Sequence, residues 1–329
     1  MLRHRTAVLQ RRVCQRLVGQ QGMAVIAVLL IVAAIAVLAA SLLGRQAMII
    51  RSLQGEQIRS QARWLLRGEV GRAQLLLRDE ARRDVLTRAG GAWSLPVLGR
   101  PAGQLAGIPA WISSEIIDEQ GKFNLRNLVV QGAPAAAELA AFSRLCELLG
   151  VEAEQAALIS RGVVLALGGT PGEAPAAGRR VEEGDVGRPG VAGLRPRVVE
   201  DLLAVPGVEP ASLARLKPYV TMLPQPTWVN ANTARAEVIA AQVPGLPLER
   251  AQALLQARDR GQWFLSQGDF AHRLQMPELD SSQVRLGVNS RWFQFAAAVE
   301  VGRTKVVLRA LMHDDKQSLP RVLWLREGA

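Results

Sequence analysis

His313 stands directly before Asp314 and Asp315, the one place where an imidazole adjoins carboxylates in sequence. Such a set could bind a metal ion or orient a histidine base. The run Asp314-Asp315-Lys316-Gln317 also has turn composition, and a solvated turn accounts for it. His4 and His272 are isolated and have no cysteine neighbours. Asp79-Glu80 and Asp118-Glu119 are adjacent carboxylates; consecutive side chains on one element point apart, so both pairs read as surface charges. No G-x-x-x-x-G-K-[ST] and no H-E-x-x-H is present. Cys14 and Cys146 lie far apart, and Cys146 falls in the apolar pattern Phe142, Leu145, Cys146, Leu149, which reads as a buried small hydrophobe. These residues point away from catalysis.

A second kind of chemistry is phosphate binding by backbone amides. Leu203-Ala204-Val205-Pro206-Gly207-Val208 and Val243-Pro244-Gly245-Leu246 each join short helical stretches and look like helix-hairpin-helix turns, with Arg215, Lys217, Arg250, Arg258 and Arg260 nearby. A membrane-anchored periplasmic DNA receptor is therefore the alternative reading. Against it, the residues two places after each turn glycine are Glu209, which repels phosphate, and Pro247, which has no N–H. The turns then serve as helix-packing corners.

Placing any of these residues requires a scaffold. The chain has 329 residues, 49% hydrophobic and 21% charged, which allows about two domains with a sizeable core. Its net charge is +11, but residues 1–22 hold Arg3, Arg5, Arg11, Arg12 and Arg16 and no acid. Without those five, 35 basic residues face 29 acidic ones, a charge of +6. From Leu17 to Gly44 there is no charged residue, and an apolar core of 21 residues runs from Met23 to Leu43. At ~1.5 Å per residue it spans about 30 Å, the hydrocarbon thickness of a bilayer. Arginines ahead of it predict a cytoplasmic N-terminus and a periplasmic bulk. The stretch is too long for an ordinary signal peptide, although Ala39-Ala40-Ser41 could pass as a cleavage site.

Beyond Arg45, Ile58, Ala62, Leu66, Val70, Ala73 and Leu77 recur at helical spacing, so one helix continues as a packed spine, with Gly90-Gly91 as a stop. Residues 110–117 alternate as a strand, Asp118–Gly121 supplies a turn, and Lys122–Leu125 resumes an extended pattern, together a β-hairpin. Trp292–Val301, Thr304–Met312 and Arg321–Leu325 are further strands. Between them lie helices at Ala135–Leu149, Glu152–Leu167, Val198–Val205, Pro210–Tyr219, Thr233–Val243 (with Thr233 as N-cap) and Leu248–Arg258. Gly168–Gly193, rich in glycine and proline, reads as a long loop. The seven tryptophans are dispersed and read as packing anchors.

Three motifs carry a resemblance. Gln21-Gly22-Met23-Ala24-Val25-Ile26 precedes the apolar helix; Asp118-Glu119-Gln120-Gly121-Lys122-Phe123-Asn124-Leu125-Arg126-Asn127-Leu128 follows the alternating stretch; Val229-Asn230-Ala231-Asn232-Thr233-Ala234 opens a late helical pair. In this order they resemble the type II secretion system minor pseudopilins known as general secretion pathway protein K. The resemblance implies an α+β fold: a pilin-like transmembrane and spine helix on an antiparallel sheet, with a large inserted helical domain. It divides the chain into a leader at 1–22, a helix at 23–90, a sheet domain at 91–132 plus 289–329, and an insert at 133–288. It implies cleavage after Gly22 and methylation of the Met23 amine by a prepilin peptidase. Ala27 stands where most pilins carry a glutamate.

The implied partners are I-type and J-type minor pseudopilins, the major pseudopilin and the inner-membrane secretion platform, with the chain at the tip of the filament and no enzymatic role. Ala33, Ala34, Ala36, Ala39 and Ala40 are candidate helix-packing contacts in the membrane. Many relatives carry an acidic calcium-binding stretch in the insert. Here the comparable residues are Ser160–Ala166 and a loop whose only carboxylates, Glu173, Glu182, Glu183 and Asp185, lie among arginines, so no cofactor is expected.

Overall fold

The computed structural model describes residues 4–168, 196–276 and 284–328. They divide into two compact units: 1–62 with 104–108, and 63–103 with 109–329. A single helix, α1 (His4–Arg83), contributes to both. The stripe expected from its spacing is buried at every position: Ile58 and Ala62 in the first unit, Leu66, Val70, Ala73 and Leu77 in the second.

The helix ends seven residues before Gly90, earlier than the sequence suggests. Asp84 explains this: its Oδ1 accepts the Leu86 amide at 2.9 Å, a local turn that competes with helical hydrogen bonding. The Thr87 amide then donates to the Val288 carbonyl at 3.1 Å, turning the chain away.

The second unit holds, apart from residues 104, 105 and 108, a five-stranded sheet of β1 (Val97–Leu105), β2 (Ile108–Asp118), β3 (Trp292–Val301), β4 (Thr304–His313) and β5 (Arg321–Gly328), in that spatial order. β3 pairs antiparallel with both β2 and β4, and β5 antiparallel with β4. Ala106 and Gly107, at φ 49° and 80°, make the two-residue link between β1 and β2, where positive φ matches strand twist. One face of the sheet buries Ile112, Ile116, Phe293, Phe295, Val299, Leu308 and Met312. Each large side chain among them stabilises the fold by about 1.5–3 kcal/mol. Polar contacts fix the spine: Arg72 Nη2 donates to Ser114 Oγ at 2.9 Å, Gln74 Nε2 to the Pro320 carbonyl at 2.6 Å, and Arg63 pairs with Glu327 at 2.9 Å.

The expected hairpin is corrected. β2 pairs with β1 and β3, whereas Phe123–Asn124 pairs in parallel with Val220–Thr221, far along the chain. The alternation around the Asp118–Gly121 turn is real, but the turn is a 3-10 segment (Glu119–Gly121) that leads out of the sheet.

Between β2 and β3 come α2 (Ala136–Leu148), α3 (Ala153–Ala166), a 3-10 segment (Val199–Ala204), α4 (Pro210–Leu216), α5 (Ala236–Gln242), α6 (Leu248–Asp259) and α7 (Gln267–Leu274). They enclose one apolar cluster around Phe142, Leu145, Ile159, Val163, Leu202, Leu216 and Ile239, which also takes in Phe123, Leu125 and Leu128. Cys146 is buried in it, and burial pushes its thiol up to about 12. α7 has no counterpart in the sequence reading; it is short, with Ser266 Oγ capping the Asp269 amide at 3.1 Å. α5 starts at Ala236, so Thr233 is not its N-cap. Beyond Gly168, the expected glycine-rich loop lies outside the described residues, as do Glu173, Glu182, Glu183 and Asp185.

Of the tryptophans, Trp93 and Trp292 are buried anchors, and Trp93 packs edge-on against Phe293 with ring centroids 5.3 Å apart. Trp64, Trp111 and Trp228 are exposed, contrary to expectation, because each lies on the outer side of its element or in a loop.

Candidate functional site

Two features could do work: the apolar helix of the first unit, and a buried polar web in the second. The helix is long and apolar enough to cross a membrane, with mean hydropathy 3.1 over its richest 18 residues, none of that window buried. Gly22 lies within α1, and Met23 and Ala27 are exposed on it. Ala33, Ala34, Ala36, Ala39 and Ala40 are all exposed. At 100° per residue, Ala33, Ala36 and Ala40 share one side with Gly44 and Ala47, while Ala34 lies with Ala27 on another. Small side chains in such a row let a second helix approach closely.

The web centres on Asp118 at the end of β2. Asp118 Oδ2 accepts from Ser290 Oγ at 2.5 Å, Thr233 Oγ1 at 2.6 Å and Asn230 Nδ2 at 3.1 Å, and Oδ1 accepts from the Gln120 amide at 2.8 Å. Asn230 Nδ2 also donates to the Thr87 carbonyl at 3.0 Å, and its Oδ1 accepts the Asn232 amide at 2.9 Å. Burial pushes the Asp118 carboxyl above the usual carboxylate range; its four hydrogen bonds oppose that without cancelling it. Glu119 is buried too, bonded by Thr221 Oγ1 at 2.5 Å and Lys122 Nζ at 2.6 Å. The reading of Asp118-Glu119 as surface charge is thus overturned. The two side chains do point apart, but each points into a different buried cluster.

Asparagines extend the web. Asn124 Nδ2 donates to the Gln225 carbonyl at 2.8 Å, and Asn127 Nδ2 to the Thr227 carbonyl at 2.8 Å. Asn232 closes a two-way bridge with Phe264: Nδ2 donates to its carbonyl and Oδ1 accepts its amide, both at 2.9 Å. Gly121 lies against Thr233 so closely that a Cβ there would sit 2.9 Å from Oγ1 and 3.0 Å from the backbone oxygen. The motif that starts at Asp118 and the motif that starts at Val229 are therefore two halves of one junction. All these groups are satisfied by one another, so the junction's chemistry is cohesion.

Comparison with known proteins decides the family. Two family profiles, both described as type II secretion system protein K, match residues 121–225 and 229–289. The type II secretion system protein K of Klebsiella pneumoniae is 30% identical over 313 residues, spanning 89% of this chain and 92% of that protein. The chain belongs to the type II secretion system protein K family. The protein K of Pseudomonas aeruginosa is 28% identical over 319 residues, with 93% and 92% of the two chains covered. The crystal structure of the GspK-GspI-GspJ complex from enterotoxigenic Escherichia coli shares the fold, at TM-score 0.63 and 19% identity, covering 84% of this chain and 98% of the matched one. The resemblance stated from the three motifs is borne out, and with it the minor-pseudopilin role and the α+β architecture.

The remaining candidates have plain structural roles. Each Pro-Gly corner is a four-residue turn: the Val208 amide donates to the Val205 carbonyl and the Leu246 amide to the Val243 carbonyl, both at 3.2 Å, with Gly207 and Gly245 at φ 86° and 75°. Gln155 takes up the next groups, donating to the Gly207 carbonyl at 2.9 Å and accepting the Glu209 amide at 3.0 Å. The Val208, Glu209 and Leu246 amides are thus spent inside the fold.

The stretch comparable to the family's calcium region, Ser160–Ala166, is the end of α3 and carries no carboxylate; it buries Gly162, Val163 and Val164. Among the described residues no three His, Cys, Asp or Glu side chains converge as metal ligands. Among the described residues, this stretch therefore offers a calcium ion no carboxylate. Asp314, read as part of a solvated turn, is buried and pairs with Lys316 at 3.0 Å, while Asp315 is the solvated member, held to about 2 by the Ser318 and Gln317 amides. His313 packs at a tilt against Trp292 with ring centroids 4.6 Å apart.

Proposed function

We propose that this minor pseudopilin occupies the tip of the periplasmic filament and nucleates its assembly together with I-type and J-type partners, before the major pseudopilin adds below. In this reading a prepilin peptidase removes residues 1–22 and methylates the Met23 amine. The freed helix first anchors the chain as a single span of the inner membrane, bulk in the periplasm, and later leaves lipid for neighbouring helices. It has no catalytic step and needs no cofactor.

One observation carries the reading: the exposed apolar helix has Ala27 where an acid could pair with a neighbour's terminal amine. A carboxylate at membrane depth costs about 2.5–3.5 kcal/mol unless paired. A subunit that never receives another amine from above has no use for one. The solved Escherichia coli structure that shares this fold is a GspK-GspI-GspJ complex, which supports the choice of partners. The division into leader, helix, sheet domain and insert fits the same picture, with the bulk between β2 and β3 hindering any subunit stacked above.

The test is mass spectrometry of the protein from cells, with and without the peptidase, joined to co-purification with the two partners. A mature chain starting at methylated Met23 and recovered with both partners is the expected result. Cleavage near Ser41, or a retained leader in the assembled protein, would overturn the reading.

A further inference from the structure

A cleft of about 640 Å³ opens between the outer face of the sheet and the helical region. Arg309 on β4 and Arg326 on β5 are directly opposite each other in the strand register, and both line it. Directly opposed side chains on one sheet face lie about 5 Å apart at Cβ, and like charges there repel. Of the carboxylates that line the cleft, Glu200 pairs with Lys217 and also feels the charge of Arg309, and Glu119 pairs with Lys122; Glu327, paired with Arg63, lies on the other face. Among the described residues no ion pair is formed by either guanidinium; that of Arg326 lies 5.2 Å over the Trp324 ring. The next pair on the same face of these two strands is Leu311 opposite Trp324, part of an apolar cluster with Leu223 and Trp292. Charge and grease thus alternate along the cleft at strand spacing, one step of about 6.5–7 Å apart.

We propose that this cleft binds an extended acidic segment of a protein partner, one carboxylate bridging Arg309 and Arg326 and a neighbouring apolar side chain seated on Leu311 and Trp324. Two planar guanidinium groups carried at opposed positions of neighbouring strands suit a carboxylate between them, which turns repulsion into attraction. A polyphosphate chain suits the cleft less, because Glu115, Glu119 and Glu200 line it as well. A peptide carries its charge at alternate residues and can place neutral ones against those acids. The inference does not depend on where in a filament the subunit sits.

The experiment uses the full chain in detergent. An end-blocked heptapeptide of alternating leucine and glutamate is titrated in, followed by calorimetry and by tryptophan fluorescence. Saturable binding is expected, weakening about tenfold or more when glutamine replaces glutamate in the peptide and weakening further as salt rises. The double variant Arg309→Gln/Arg326→Gln should lose binding to the same extent while melting no lower than the native chain, since both side chains are exposed and mutually repelling. Each single variant should show part of the loss. Equal affinity for the glutamine peptide, unchanged binding by the double variant, or preference for an oligonucleotide of equal charge overturns the proposal.

Discussion

Asn230 Nδ2 donates to Asp118 Oδ2 at 3.1 Å, joining residues 112 positions apart in sequence. The bond links the last residue of β2 to the segment entering α5, so it ties the sheet to the helical region at one buried point. Ser290, just before β3, donates to the same carboxylate oxygen, so a single acceptor holds three parts of the chain.

Removing either partner leaves buried groups without a mate. Asn230→Ala should lower unfolding free energy by about 2–4 kcal/mol, and Asp118→Ala by a similar amount. In a double-mutant cycle the two should be non-additive by about 1–3 kcal/mol. Urea denaturation of the four proteins measures both quantities, and additive losses would show the bond to be incidental.

Two groups give opposite pH trends. The Asp118 carboxyl is raised in the fold, by burial, above its ordinary 3.8. Its contribution to stability is complete below 3.8 and is lost as pH rises through the higher folded value. His313 is lowered from 6.5, first by burial and then by Arg291, against the opposing pull of Asp315 and Asp314. Its contribution is present above 6.5 and declines as pH falls toward the lower folded value. His313→Gln should therefore flatten the stability profile just below pH 6.5, and Asp118→Asn the profile above 3.8; denaturation at stepped pH reads both.

Gly162 lies in α3 where a Cβ would come within 2.7 Å of Val205 Cγ2. Alanine normally favours a helix over glycine by ~1 kcal/mol. Here the overlap should outweigh that gain, so Gly162→Ala destabilises by about 1–3 kcal/mol. Adding Val205→Ala to Gly162→Ala should recover part of the loss, measurable by thermal melts, whereas Val205→Ala alone should only destabilise.

Ala27→Glu restores a carboxyl at membrane depth. If the tip reading holds, the variant should assemble at altered positions and secretion should fall, scored by site-directed crosslinking to the I-type and major pseudopilins. Unchanged crosslinks and secretion would show that the missing acid does not decide placement.

Cys146, with its thiol pushed up to about 12, should resist alkylation in the folded protein at neutral pH and react only on unfolding. Mass spectrometry before and after addition of urea checks this.

Local patterns carried most of the architecture. The apolar run at Met23–Leu43, the stripe from Ile58 to Leu77, and the strands at Trp292–Val301 and Thr304–His313 are legible because burial there has a period the sequence repeats. The junction was not legible, although its motifs were. Asp118 looks like a surface carboxylate until Asn230, Thr233 and Ser290 arrive from distant positions, and no local rule announces those partners. Thr233 has the composition of a helix cap, yet its hydroxyl is drawn to Asp118. The helix end at Arg83 was misplaced for a similar reason, because Asp84 stops it where Gly90 seemed the obvious breaker.

The sheet's neighbours β2 and β3 stand on either side of the whole helical region, with Ser290 and Asp118 meeting across 172 positions. The β1–β2 hairpin can form as soon as it is made, but its inner edge stays bare until the chain beyond Arg291 exists. The helical region therefore acts as a clasp: by drawing its own two ends together it repays the entropy of closing so long a loop. Damage far from the sheet, in a helix that touches no strand, would then leave the sheet open and its edge free to recruit the wrong neighbour.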